Sequence, residues 1–312
     1  MKKILIVDDL HEIIIPFLEK NNFQVDYQPN IEPAKILEII ADYQGLIVRS
    51  KIKIDKFFLD HCDNLAFIGR AGAGLDLIDL QEAQRRNIDV FAANEGNADA
   101  VAEHTIGMIL GLFNKLNFAD AEVRQFIWER ERNRGIELKG MTVGIIGFGN
   151  MGTAVAQRLV GFGVKVLAYD KHEKDWTTYG LIAQKATLQD IFEQADVVSL
   201  HVPLTHETRM MVDDDFLAQF KKNIFLLNTS RGEVVSLKSV YNALQTGKLR
   251  GACLDVLEHE KLNKLTPEQT ELYKALFQMS NVLFSPHIAG WTVESYRKIS
   301  EVLMEKIQDR WL

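Results

Sequence analysis

Cysteine is scarce: Cys62 and Cys253 are the only two, far apart in the chain, which excludes a disulfide framework and a cysteine metal motif. No apolar run approaches the ~20 residues needed to span a bilayer. The start, Met-Lys-Lys-Ile-Leu-Ile-Val-Asp-Asp, has the basic residues of a signal peptide. Its apolar run is only Ile4 to Val7 before acids intervene, so it reads as a first buried strand. Positive charge is not in excess either. The 36 Lys and Arg face 43 Asp and Glu, for a net charge of −7, which argues against nucleic-acid or anionic-membrane partners but leaves room for a local basic pocket. Internal repeats and low-complexity segments are lacking. These absences leave a soluble chain with the cytoplasm as its default compartment. Its 312 residues, 47% of them hydrophobic, suit two α/β domains.

Strand-like runs recur at Ile4 to Val7, Gln24 to Tyr27, Gly45 to Val48, Leu65 to Ile68 and Asp89 to Ala92, with helix-like intervals between them. This is the pattern of a parallel α/β sheet. A long apolar helix is expected from about Ala98 to Leu116, because Val101, Thr105, Met108, Ile109 and Leu112 recur at helical spacing. A charged amphipathic arm follows, Phe118 to Arg134, carrying Phe126, Ile127 and Trp128. Its Trp and Arg content fits an interface, and a helix packed on its own subunit is the plainer alternative.

Residues 143 to 170 carry an apolar strand, the turn Gly147-x-Gly149-x-x-Gly152, a helix, a second strand and the acid Asp170. Gly147 permits the tight turn, Gly149 lets the backbone approach a pyrophosphate, and Gly152 lets the helix pack on the strand, with helix amides facing the phosphates. Asp170 would accept hydrogen bonds from the adenosine ribose and repel a 2′-phosphate, which selects NAD over NADP; the neighbouring Lys171 works against strict selectivity. A bare glycine pattern is weak evidence of a cofactor site. Strand, helix, second strand and acid in register make it strong. Some 140 residues precede it, room for a separate domain.

Further strands are expected at Asp196 to Val202, Ile224 to Asn228, Gly251 to Asp255 and Val282 to Ser285. Thr266-Pro267-Glu268-Gln269 opens a helix, with Thr266 as cap, Pro267 at the first position and Gln269 closing a capping box. A last helix, Thr292 to Trp311, would return to the first domain and make it discontinuous.

Three segments fall at strand ends, where ligands gather in open α/β sheets: Asn228 to Gly232, Asp255 to Glu260, and Ser285 to Gly290. They supply a cation, carboxylates and an imidazole. His287 suits proton exchange with a hydroxyl or carbonyl near neutral pH, Glu260 would orient it and stabilise the imidazolium, and Arg231 would bind a carboxylate through two parallel hydrogen bonds. Singly, each has a plainer reading: a loop histidine after proline, a surface arginine, acids capping helices. Their order downstream of the cofactor fingerprint changes that balance.

That order resembles the D-isomer-specific 2-hydroxyacid dehydrogenase family over nearly the whole chain. The matching motifs are the fingerprint with Asp170, Pro203-Leu204-Thr205-His206-Glu207-Thr208, Asn228 to Gly232, Gly251 to Asp255 with Glu260 five residues on, and Ser285 to Trp291. The resemblance implies a Rossmann NAD-binding domain, residues 98–288, inserted into a flavodoxin-like, discontinuous substrate-binding domain, residues 1–97 and 289–312. Residues 98–140 would be a dimerisation arm. It implies that Arg231, Glu260 and His287 are catalytic, that Asp255 lies near the nicotinamide, and that Asn150, Met151, His201, Val202, Thr229, Ser230 and Gly290 join the glycines and Asp170 around the cofactor. Within the family, Val48-Arg49-Ser50, Gly69 to Asp76 and Trp128-Glu129-Arg130 are most similar to 3-phosphoglycerate dehydrogenases. A phosphate would account for Arg49, Arg70 and Arg130 at a substrate cleft, with Ala73 and Gly74 in the intervening loop and Arg130 reaching across a dimer.

The chain departs from the family pattern in places. Lys261 stands where proline is usual and a long stretch, Leu262 to Gln278, follows; Glu95 stands where the family usually has proline; His104 stands where leucine is frequent. His104 is expected to be a packed helix histidine, His259 to point away from the site, and His11, His61 and His172 to be surface residues. His201 and His206 lack the helical spacing of a zinc site, so no metal is expected. The chain stops after its last helix, without the regulatory domain that many phosphoglycerate dehydrogenases carry, so serine feedback through such a domain is not expected. The functions left in competition are 3-phosphoglycerate oxidation toward serine, reduction of glyoxylate or hydroxypyruvate, and dinucleotide sensing by a corepressor-like binding protein. Formate oxidation fits less well, because those relatives lack a glutamate beside the histidine.

Overall fold

The computed structural model describes residues 2–172 and 175–311. It divides into two units, one of Met1–Ala98 with Trp291–Leu312 and one of Asp99–Gly290. The second crossing lies two residues later than expected, and the reason is local: Ala289 donates its backbone N–H to Asp255 at 2.9 Å, tying the end of that loop to the second unit.

The first unit is a five-stranded parallel sheet of β1 (Lys2–Ile6), β2 (Phe23–Tyr27), β3 (Gly45–Val48), β4 (Phe67–Arg70) and β5 (Asp89–Ala92), in the order β2-β1-β3-β4-β5. Two-residue alternation sorts its side chains onto two covered faces. Leu5, Leu46, Val48 and Ile68 pack with Ile36, Ile40, Phe58 and Leu59 on one face. Ile4, Ile6, Ile47 and Phe67 pack on the other with Ile14 and Leu18. The carboxyl-terminal helix Val293–Trp311 joins that second face through Ile299, Leu303 and Ile307, spaced four apart on one stripe. Each such burial contributes ~2 kcal/mol. Glu95, the residue in place of proline, pairs with Lys306 of this helix at 2.8 Å. Strand β4 begins at Phe67 rather than Leu65. Ala66 and Phe67 both donate to the carbonyl of Gln44, so residues 65–66 only lead into the ladder.

The second unit is a seven-stranded parallel sheet: β6 (Thr142–Ile146), β7 (Lys165–Tyr169), β8 (Gln184–Lys185), β9 (Val197–Leu200), β10 (Ile224–Asn228), β11 (Leu249–Leu254) and β12 (Val282–Phe284), in the order β12-β11-β10-β9-β6-β7-β8. The order reverses between β6 and β9, which is the doubly wound dinucleotide-binding arrangement. Its two-residue edge strand β8 carried no sequence signal. The helix expected over Ala98 to Leu116 ends at Phe113, because Lys115 turns into the left-handed region at φ +52°; a second helix, Leu116–Arg124, follows. The amphipathic arm is not one helix to Arg134: after Arg124 it is irregular, with Phe126 at φ +62°. The capping box on the helix Pro267–Phe277 forms as expected, Thr266 and Gln269 exchanging hydrogen bonds of 3.3 and 2.8 Å. Among the described residues, no helix is long and apolar enough to cross a membrane.

Candidate active site

Strand β6 delivers the chain into the glycine turn, and the three glycines play distinct parts. Gly147 has φ +91°, and a Cβ there would lie 2.4 Å from the backbone oxygen of His201, so strand β9 closes over the turn. A Cβ on Gly152 would lie 2.1 Å from the oxygen of Gly147, so the helix Asn150–Leu159 can rest on the turn only with glycine there. A Cβ on Gly149 would meet nothing within 4 Å, and no side chain caps the helix that starts there. Helix amides and open space face the same place. This fits a pyrophosphate, whose charge the helix N-terminus favours.

Asp170, one residue past β7, accepts from Phe148 N at 2.8 Å and from His172 N at 2.9 Å. Its carboxylate thus pins the glycine turn; a carboxylate has about four acceptor positions, so these two bonds leave it room to accept others. Lys171 is tied to Glu207 at 2.6 Å, which directs its charge to that acid. Phe148, inside the turn, is fully buried and stacks on Trp176, ring centroids 5.3 Å apart; the sequence reading did not single out either. His201 follows β9, its Nε2 2.8 Å from Ser199 Oγ, and burial pushes its imidazole down to about 4, so the ring is neutral at pH 7.

At the end of β10, Asn228 is fully buried and organises the next turn. Its Oδ1 accepts from Ser230 N at 3.1 Å and Ser230 Oγ at 2.7 Å, while its Nδ2 donates to the Arg231 carbonyl at 2.9 Å. Arg231 Nη1 donates to the Ser230 carbonyl at 2.7 Å. A Cβ on Gly232 would lie 1.8 Å from Leu257 O, so the turn carrying Arg231 lies against the loop after β11. Thr229 Oγ1 lies 3.1 Å from Thr105 Oγ1 on the helix Ala98–Phe113.

Asp255, buried just after β11, gathers the third loop. Its carboxylate accepts from Ser285 Oγ at 2.6 Å, Ile288 N at 2.9 Å and Ala289 N at 2.9 Å, and its carbonyl accepts from His287 N at 2.7 Å. These bonds hold His287 at φ +56°, a left-handed conformation uncommon for a non-glycine residue. Its Nδ1 then lies 2.8 and 3.0 Å from the two oxygens of Glu260. Glu260 keeps this place although Lys261 follows it; the added stretch forms the short turn Leu262–Lys264 and the helix Pro267–Phe277. His259 is exposed, its backbone N–H held by Tyr273 Oη at 2.9 Å.

In the first unit, Arg49 and Arg70 stand at the carboxyl ends of adjacent strands, Val48 being in register with Arg70. Arg49 Cζ lies 4.0 Å from the centre of the Trp291 ring, and Asp8 accepts the backbone amides of Arg49, Ser50 and Lys51 at 2.6, 3.2 and 3.4 Å. In sequence, Trp291 figured only as the end of a family motif and Asp8 only as an acid closing the first apolar run; neither was assigned a part in the site. Burial lowers the Arg49 guanidinium from its ordinary range, against the pull of Asp8. Arg70 Nη1 donates to Ala71 O at 2.6 Å, and Ala73 and Gly74 are half-buried in the loop beyond. Arg130 is exposed in the irregular arm. Two histidines expected at the surface are half-buried: His11 beside the Tyr296 ring, and His61, whose Nδ1 is 2.9 Å from Phe57 O.

Residues 106–289 match the family described as D-isomer specific 2-hydroxyacid dehydrogenase, NAD binding domain. The chain is 35% identical to a hydroxypyruvate reductase of Thermotoga maritima, over 89% of this chain and 88% of that one. It is 34% identical to a D-3-phosphoglycerate dehydrogenase of Methanocaldococcus jannaschii, over 99% of this chain but only 57% of that longer protein. Among solved structures it resembles the D-lactate dehydrogenase of Aquifex aeolicus complexed with NAD and lactic acid, with TM-score 0.84 and 27% identity, covering 98% and 94% of the two chains. With its doubly wound sheet and uncapped glycine turn, this chain belongs to the D-isomer-specific 2-hydroxyacid dehydrogenases and is an NAD-dependent oxidoreductase of that family.

Proposed function

We propose that the chain oxidises 3-phosphoglycerate to 3-phosphohydroxypyruvate, the first step toward serine. The observation carrying this reading is the pair Arg49 and Arg70 at adjacent strand ends. A substrate with a phosphate as well as a carboxylate gives such a pair its own anion, while Arg231 takes the carboxylate.

His287 is the proton acceptor in this reading. A carboxylate has no proton to donate, so Nδ1–H donates to Glu260 and leaves the Nε2 lone pair to take the substrate hydroxyl proton. Glu260 then stabilises the imidazolium, and Arg231 orients the substrate and polarises the forming carbonyl. NAD, when bound, supplies the acceptor for the hydride that leaves C2. Residues Gly147, Gly149, Asn150, Met151, Gly152, Asp170, His201, Val202, Thr229, Ser230, Asp255 and Gly290 line its place, and Ala73 and Gly74 serve the substrate. A second copy completes the molecule through the arm of residues 98–140, bringing Arg130 to the partner's substrate; the exposure of Phe126 and Trp128 in that arm supports this.

A second reading, reduction of hydroxypyruvate or glyoxylate, draws support from the Asp8 carboxylate beside the Arg49 backbone and from the 35% identity to the Thermotoga hydroxypyruvate reductase. Catalytic efficiencies for 3-phosphoglycerate, 3-phosphohydroxypyruvate, glyoxylate, hydroxypyruvate and D-lactate separate the two. We expect the phosphorylated pair to be preferred, and Arg49→Ala or Arg70→Ala to reduce that preference about 10- to 100-fold. Preference for an unphosphorylated acid, unmoved by either substitution, selects the reductase.

A further inference from the structure

His104 lies in the middle of the helix Ala98–Phe113, one of the positions where the chain departs from the family pattern, and its side chain is 24% exposed. Its Nε2 is 2.9 Å from Ser285 Oγ and 3.6 Å from Asp255 Oδ1. Counting protons assigns the direction of these bonds. Ser285 has one hydroxyl hydrogen, and its 2.6 Å bond to a buried carboxylate, which can only accept, takes that hydrogen. The Ser285 oxygen is therefore the acceptor toward His104, and the hydrogen of that bond sits on His104 Nε2. A chain of donors runs from the helix through Ser285 to Asp255. Asp255 in turn holds the amides of Ile288 and Ala289, and its carbonyl holds the amide of His287.

We propose that His104 is a positioning residue: by donating from Nε2 to Ser285 it fixes the serine hydroxyl on Asp255 and so holds the loop His287–Ala289 in the conformation that presents the imidazole. The proposal rests on the reading of His287 as the proton acceptor, but its structural half can be tested without turnover. Leucine at 104 fills similar space and donates nothing. Glutamine can place an amide N–H near the position of Nε2.

The experiment compares His104→Leu, His104→Gln, Ser285→Ala and the double variant His104→Leu/Ser285→Ala in the full chain. It reads amide hydrogen exchange over residues 287–290, kcat and KM with the best acid substrate, and the thermal midpoint. Losing one part-buried hydrogen bond predicts about fivefold faster exchange at Ile288 and Ala289 and a kcat about 3- to 10-fold lower in His104→Leu, with KM and thermal midpoint nearly unchanged. His104→Gln should return to within about twofold of the parent in both readouts. Ser285→Ala should match His104→Leu, and the double variant should be no worse than either single one, because both act through one chain. Parental exchange in His104→Leu, equal defects in the Gln and Leu variants, or additive losses in the double variant each overturn the proposal. If the parent turns over none of the acids while exchange follows the expected pattern, the proposed reaction is wrong and the positioning role stands.

Discussion

Nδ1 of His287 lies 2.8 Å from one carboxylate oxygen of Glu260 and 3.0 Å from the other, across 27 residues of sequence. Both side chains are nearly half exposed, so the pair adds little to stability, ~0 to 1 kcal/mol. Its value is in orientation. Glu260→Gln keeps the size but removes the charge that stabilises an imidazolium, so kcat should fall on the order of 10²-fold while NADH affinity stays put. Steady-state kinetics with fluorescence titration of NADH checks this; a kcat within twofold of the parent would remove Glu260 from the reaction.

The glycine turn separates folding from binding. Gly147→Ala forces a side chain into φ +91° and onto the His201 carbonyl, and should destabilise the chain by ~2 kcal/mol or more. The Cβ of Gly149→Ala meets open space, so thermal melting should be nearly unchanged while NADH binding weakens about tenfold through the blocked approach to the helix amides. Equal melting losses in the two variants would contradict this division.

Acid should weaken the fold through His201. Its folded value of about 4 lies below the ordinary 6.5, so below pH 6.5 the unfolded chain binds a proton that the folded chain refuses. This contribution to stability is intact at pH 7 and is lost as pH falls from 6.5 toward 4, the loss reaching about 2 kcal/mol at pH 5. Urea unfolding at pH 7 and pH 5 should show a correspondingly smaller drop in His201→Gln. Identical drops would place the acid sensitivity elsewhere.

The exposed arm gives a simple test of assembly. Phe126 is fully exposed and Trp128 is 77% exposed, two positions apart in an irregular segment that buries neither. If a second copy covers them, sedimentation of the parent gives twice the 35.5 kDa chain mass, and Phe126→Asp with Trp128→Asp yields the single-chain mass. A parent that sediments as one chain at micromolar concentration counts against the dimer.

Both sheets were legible in the chain because buried parallel strands read as short apolar runs between helical periods, and the glycine turn because its spacing answers to backbone sterics. The capping box at Thr266 was legible for the same reason: its partners are three residues apart. What the local pattern did not contain was any feature made by contacts between distant segments. The break at Lys115 and the short strand β8 are of this kind, since no residue type demanded either. So are the seat of Arg49 on Trp291, 242 positions later, and the carboxylate of Asp8 in the amides of residues 49–51. His104 shows the limit most clearly. The sequence alone determined that a histidine stands on an apolar helix, where packing is its simplest role. Only the tertiary structure decided that it faces Ser285, 181 residues away, because hydrogen-bond direction depends on which atoms meet and not on where they lie in the chain.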